Sequence, residues 1–173
     1  LEPTKITDAR GNVYTLTRDA RGNVTNVRDP FAKDWVYTYN GTDDLLTATS
    51  PLSKVRQWTY DNNGNLLTAR DEMNRTTTFG YNTSNELITV TDPLSRVSTI
   101  TYNSAGDVST ITGPTQVTTT FTLDSAGRVT KVEETAGTTT REVEERGYDA
   151  LDRTIWVENG LGQRTTLAYD LED

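Results

Sequence analysis

The sequence predicts an all-β protein, a repeat array of antiparallel β-hairpins with a 21-residue period that forms a curled or spiralling β-ribbon. Versions of the stretch 60–67 (YDNNGNLL) recur along the chain at this spacing, and a fixed period of about 20 to 50 residues is the signature of a repeat architecture. Between these stretches, apolar and polar residues alternate with a period of two, as in strands with one buried side. A twisted open sheet of more than about ten strands must curl or split.

The repeat boundaries follow from the position of the tyrosine. Repeats begin at residues 18, 39, 60, 81, 102, 123 and 148, with partial repeats over 1–17 and 169–173. The steps are 21 residues, except for 25 between 123 and 148. We therefore expect one continuous array over residues 1–173, with residues 1–7 as a frayed end.

The first turn of each repeat is predicted by Asp or Asn at repeat position 2 and by Gly, Asn or Asp at position 5. An Asx side chain opens a type I turn, and the residue three positions later takes the left-handed conformation that Gly, Asn and Asp tolerate. A tight hairpin with a bulge results. The predicted structural turn residues are Asp19, Gly22, Asp61, Gly64, Gly106, Asp124, Gly127 and Asp149.

A strand, a second turn and a returning strand complete the repeat. Prolines recur at position 13, where they pre-set the second residue of a turn. The returning strand carries most of the aromatic side chains. They either pack as a ladder between successive hairpins or line a surface that binds sugar or cargo. The predicted aromatic ladder contains Tyr39, Trp58, Tyr60, Phe79, Tyr81, Tyr102, Phe121 and Tyr148.

Two features break the pattern. Trp156 stands where other repeats carry Asn, Thr or Lys, and an exposed indole there would mark a contact; Trp35 is a second candidate for a contact. The long repeat contains the acidic segment 133–146, with five glutamates. This segment is either a protruding solvated hairpin or a contact point for a cationic partner.

Composition excludes several classes of function. The 173 residues contain no His and no Cys, which removes the commonest general base, the usual zinc ligands and any thiol nucleophile. No serine or threonine has an activating base, so we expect no enzymatic activity, no cofactor and no metal. A net charge of −8 argues against a nucleic-acid partner. No apolar run is long enough to span a membrane.

The recurring stretches resemble YD repeats, also called RHS repeats, over about residues 8–170. That family's pattern is Tyr-Asp, a turn ending in Gly-Arg or Gly-Asn, an apolar pair and often Asp-Pro before the returning strand. It appears here as Tyr60-Asp61 with Gly64-Asn65, as Asp124 with Gly127-Arg128, and as Tyr148-Asp149 with Asp152-Arg153.

The resemblance implies a spiralling β-ribbon that builds a segment of a hollow β-shell. Such shells occur in bacterial Rhs-type polymorphic toxins, wall-associated proteins, the B and C components of Tc toxin complexes and teneurins. In the toxins the shell encloses a C-terminal toxic domain. The chain departs from a complete toxin because no toxin-like domain follows Asp170 and no paired Asp-Pro-x-Gly segment is present. The resemblance therefore does not extend to self-cleavage.

The resemblance thus implies a non-enzymatic structural segment of a shell that encapsulates or presents a toxin or effector domain in a secreted or cell-surface bacterial protein. The implied partners are the remaining YD repeats and that C-terminal domain. The alternative is a cell-surface recognition module that binds carbohydrate or protein through exposed repeat faces. Unpaired strands at residues 8–18 and 164–170 also predict edge-to-edge self-association.

Overall fold

A computed structural model describes residues 4–170. The described residues form sixteen β-strands and contain no helix, which confirms the all-β prediction. The chain divides into two compact units, Leu1–Ser95 and Arg96–Asp173. The outermost residues of the predicted partial repeats, 1–3 and 171–173, lie outside the described part. The single continuous array remains a prediction.

The first unit contains nine strands, and each pairs antiparallel with its neighbours in the sequence. They are β1 Lys5–Thr7, β2 Val13–Arg18, β3 Val24–Arg28, β4 Asp34–Tyr39, β5 Leu45–Thr49, β6 Val55–Tyr60, β7 Leu66–Arg70, β8 Thr76–Tyr81 and β9 Leu87–Thr91.

The second unit contains seven strands with the same sequential antiparallel pairing. They are β10 Val97–Tyr102, β11 Val108–Thr112, β12 Val117–Leu123, β13 Val129–Ala136, β14 Thr139–Tyr148, β15 Thr154–Asn159 and β16 Arg164–Thr166.

The start of the sheet differs from the prediction. Residues 1–7 were expected to fray, but Lys5–Thr7 forms β1 and pairs with β2. Ile6 lies opposite Tyr14, so the alternation of the repeat already operates there. The outer strand of the first unit is therefore β1, and residues 13–18 are not an unpaired edge.

The two faces of the sheet differ in chemistry. In β4 and β6, Tyr37 and Trp58 point to one side, which we call the aromatic face, and each lies opposite an alanine of the next strand. The other side, which we call the threonine face, carries cross-strand threonine pairs. Thr38 and Thr47 are joined through their hydroxyls at 2.7 Å, and so are the corresponding pairs 59/68 and 101/110.

The sheet has no enclosed core. Among the described residues, no side chain is fully buried, and the aromatic side chains of the ladder are half-buried. A single layer of strands buries each side chain only against its neighbours in the ladder. This agrees with the low apolar content of 33%.

The acidic insertion forms an extended hairpin. Strands β13 and β14 have 8 and 10 residues, against 5 to 7 in the preceding strands β2–β12. They are joined by a two-residue turn at Gly137 and Thr138, because Ala136 pairs with Thr139. A register shift between Val132 and Glu133 accommodates the extra length.

Candidate functional site: the corners and faces of the repeat

The corner at residues 61–65 shows how the repeat turns. The Asp61 carboxylate accepts hydrogen bonds from the backbone N–H groups of Asn63 and Asn65, at 2.8 and 2.9 Å. The Gly64 N–H donates to the Asp61 carbonyl at 3.2 Å, and Gly64 has a φ of +84°. The Asp61 side chain thus satisfies backbone donors that the reversal of the chain would otherwise leave free.

The other predicted turn residues occupy the same places. Asp19, Asp124 and Asp149 each open a corner and accept two backbone N–H groups on one carboxylate oxygen. The residues at repeat position 5 all have positive φ, including three that are not glycine. They are Gly22, Asp43, Gly64, Asn85, Gly106, Gly127 and Asp152.

The second turn of each repeat is the same type of corner, which sequence reasoning missed. The Asp29 carboxylate accepts hydrogen bonds from the N–H groups of Phe31 and Lys33, and Ala32 has a φ of +59°. Corners therefore recur every 10 or 11 residues. The proline signal identified the turn, but Ala32 and Ser53 gave no hint of positive φ.

Acid should destabilise the fold through these corners. A hydrogen bond from the Asn65 side chain is the largest effect lowering the pKa of Asp61, and an Arg128 hydrogen bond does the same for Asp124. Because the folded-state pKa is depressed, this stabilisation is present above the unfolded-state pKa of about 3.9 and is lost as pH falls through the folded-state value. We expect Asp61→Asn to make the melting temperature less sensitive to acid.

Asn is a fair substitute, because Asn82 accepts the same two backbone N–H groups at its own corner. Asp61→Ala is the control and should lower the melting temperature at neutral pH as well. Identical acid profiles for wild type and Asp61→Asn would show that this corner carboxylate does not contribute.

The corners lie in two rows at opposite ends of the strands. In the first unit, the polar corner row contains corners 19–23, 40–44, 61–65 and 82–86, and the apolar corner row contains corners 8–12, 29–33, 50–54 and 71–75.

Side chains of the polar corner row link successive corners. Arg21 forms an ion pair with Asp43 at 3.1 Å and donates to the carbonyls of Asn40 and Gly41, both at 2.6 Å. Asn63 and Asn65 both donate to the Asn85 side chain. In the second unit, Arg128 reaches Asp152 at 2.6 Å. These contacts fix each hairpin against the next.

Tyrosines at the first repeat position brace the preceding hairpin. The Tyr39 hydroxyl donates to the Val24 carbonyl at 2.9 Å, and Tyr148 donates to the Val129 carbonyl at 2.7 Å. Burial raises the pKa of the Tyr39 hydroxyl. The tyrosine thus joins the end of one strand to the backbone two strands earlier.

A hollow lies on the aromatic face of the first unit. Trp35, Tyr37 and Trp58 line it, together with Ala48, and its volume is about 360 Å³. Other repeats carry Val or Ile at the position of Ala48, except for Ala69. The small alanine leaves space between the two indoles, so Trp35 lines a concavity of the aromatic face.

Trp156 is half-buried, which corrects the expectation of an exposed indole. It lies on the threonine face opposite Gly147, and the Arg164 guanidinium stacks 3.9 Å from its ring. The Thr59–Thr68 pair occupies the equivalent cross-strand position in an earlier repeat. The indole therefore fills the space that the missing side chain of Gly147 leaves.

The acidic hairpin contains its own counter-charge. The Lys131 ammonium lies 3.1 Å from Glu133, 3.2 Å from Glu142 and 3.9 Å from Glu145. A hydrogen bond from Glu133 is the largest effect raising the pKa of Lys131. On the other side of the hairpin, Glu144 pairs with Arg146. These pairings reduce the negative field that the sequence suggested.

The described part of the chain shows no grouping of three or more His, Cys, Asp or Glu residues that could hold a metal ion. Residues 4–170 also contain no helix with the length and apolar character needed to cross a membrane.

A family model described as "Teneurin YD-shell" matches residues 4–173. The chain belongs to the teneurin YD-shell family. This confirms the resemblance to YD repeats, and the family is a structural shell domain. None of the curated protein sequences matches the chain.

Comparison with solved structures shows the same fold. The Tc holotoxin pore of Photorhabdus luminescens, in a TccC3 variant, matches with a TM-score of 0.62 and 14% identity over 89% of this chain and 11% of that chain. The complex TcdB2-TccC3 matches with a TM-score of 0.45 and 14% identity over 96% of this chain and 13% of that chain. The YD-shell chain described here thus spans about a tenth of the length of the structures it resembles.

Proposed function

We propose that this chain is a non-enzymatic wall segment of a YD-repeat shell that encloses or presents a toxin or effector domain in a secreted or cell-surface bacterial protein. The observation that carries the proposal is the single-layer construction. No described side chain is fully buried, and each hairpin is fixed to the next by its corners. A layer of this kind separates two spaces, and the family match supports a shell as the closed form. Its partners are further YD repeats and the enclosed domain.

The arrangement of side chains fits a wall. The threonine face is closed by hydroxyl pairs, and the aromatic face is nearly continuous. Both faces are held by local contacts that repeat along the chain, so the wall can extend by adding hairpins. Stability of such arrays is a sum over repeats and their interfaces.

The test uses the parent protein that contains this segment, with limited proteolysis as the measurement. An enclosed effector domain should resist protease while the wall is intact. Gly160→Ala, which should force the backbone apart at one corner, should open the wall and expose the effector to cleavage. Gly41→Ala is the matched control, because it changes the same position of another corner without a steric conflict.

The second candidate function is recognition of carbohydrate, which the hollow between Trp35 and Trp58 favours. Paired indoles bury large surfaces and suit flat ligands. An effector that is cleaved equally in all variants would contradict the shell role. Saturable binding on a glycan array that Trp35→Ala abolishes would then assign the segment to recognition.

A further inference from the structure

The tips of the apolar corner row carry exposed apolar side chains at one repeat position. Four of them lie in the first unit at position 14, spaced by 21 residues. They are Phe31, Leu52, Met73 and Leu94, which are 82%, 82%, 66% and 73% exposed. At about 4.8 Å per strand, successive tips lie about 10 Å apart. Exposed apolar residues in a continuous row mark an interaction site.

The opposite row has no such tips. The equivalent third positions of the polar corner row in the first unit are Arg21, Thr42, Asn63 and Ser84. Both rows use the same type of corner, so turn geometry does not require the difference. The apolar character belongs to one end of the strands only.

The charges of the two rows also differ. The apolar corner row of the first unit is neutral, although the whole chain carries −8. It contains the acidic residues Asp8, Asp29, Asp71 and Glu72 and the basic residues Arg10, Lys33, Lys54 and Arg75. The polar corner row contains the acidic residues Asp19, Asp43, Asp44, Asp61 and Glu86 and the basic residue Arg21. Two copies can therefore approach through the apolar row without net repulsion.

The backbone of these corners is prepared for burial. At corner 29–33, Pro30 has no N–H, and the N–H groups of Phe31, Ala32 and Lys33 all donate to Asp29. Burying such a tip leaves no backbone donor without a partner, which removes a large part of the usual desolvation cost.

We propose that the apolar corner row is an interface for a second copy of this chain, with the two rows packed against each other about a two-fold axis. A partner that contacts several tips at once must share their spacing of about 10 Å, and a second array of the same hairpins does. In antiparallel rows, each tip fills the gap between two tips of the partner. The inference goes beyond the proposed shell role, because it concerns corners of isolated chains and needs no effector domain.

Sedimentation velocity over a concentration series tests the interface. We expect a reversible dimer for the wild type. Leu52→Ser combined with Met73→Ser should weaken dimerisation by about a hundredfold, at about tenfold for each apolar side chain that is replaced. Leu151→Ser is the matched control, because Leu151 is a 70% exposed corner tip outside this row and its replacement should leave the dimer intact.

Cross-linking locates the interface, since the chain has no cysteine of its own. A mixture of Leu52→Cys and Met73→Cys proteins, oxidised with diamide, should form disulfide-linked heterodimers. A mixture of Thr42→Cys and Asn63→Cys proteins, on the polar corner row, should not.

Three results would overturn the proposal. A monomer at every concentration excludes the interface. A dimer that survives in the double serine variant assigns the association to the outer strands β1 or β16. A monomer that sediments with phosphatidylcholine vesicles, and loses this property in the double serine variant, assigns the row to a lipid surface.

Discussion

Replacing Gly147 with Thr should lower the free energy of unfolding by about 2 kcal/mol, the usual cost of forcing atoms into an occupied site. A Cβ atom at Gly147 would overlap the indole of Trp156 on the neighbouring strand. The ring cannot move aside easily, since the Arg164 guanidinium stacks on it. Urea denaturation of the wild type and variant measures the loss.

The double variant Gly147→Thr/Trp156→Thr should recover most of this loss. It recreates the threonine pair of other repeats, in which Thr59 and Thr68 share a hydroxyl hydrogen bond of 2.7 Å. Trp156→Thr alone should cost about 2 kcal/mol, roughly half the loss typical of a fully buried Trp. The double variant should therefore be about as stable as this single variant, with a coupling energy of about 2 kcal/mol.

Gly80→Thr is the control for this pair. Gly80 lies opposite Thr89, whose hydroxyl would be the first atom that a new Cβ meets, and a hydroxyl can rotate away. The substitution should be neutral or stabilising by up to about 1 kcal/mol, because glycine weakens a strand. Strictly additive effects of Gly147→Thr and Trp156→Thr would contradict the proposed packing.

Gly160→Ala should reduce the free energy of unfolding by about 3 kcal/mol. A Cβ at this corner would overlap the carbonyl of Glu142 and crowd the Cα of Val143. The Gly160 N–H also donates to the Val143 carbonyl at 2.9 Å. Both obstacles are backbone atoms held in strand β14, so the corner itself must move.

Gly41→Ala provides the comparison, because Gly41 is the second residue of its corner, as Gly160 is. No atom lies within 4 Å of the Cβ that this change adds, and Gly41 does not have a positive φ. Its free energy of unfolding should change by less than about 0.5 kcal/mol or rise slightly. A similar loss in both variants, measured by denaturation, would place the effect of Gly160→Ala in the turn and not in the packing against β14.

Much of the fold was predictable because its determinants are local. Asp61 and Gly64 specify a corner through hydrogen bonds and a left-handed residue within five positions of the chain. The alternation of Tyr37 and Thr38 assigns side chains to faces, since successive residues of a strand point to opposite sides. The 21-residue period repeats these instructions, so the order and direction of the strands follow from the sequence.

The amino-acid sequence alone specifies the hairpins, the turn residues and the family, because each depends on residues close in the chain. The neighbours across the strands emerge only in the folded molecule. Folding places Trp156 over Gly147, pairs Lys131 with three glutamates and puts Leu52 and Met73 at exposed tips of one row. The pairing register fixes these neighbours, and a period alone does not say which end of the strands a corner faces or whether its side chain is covered.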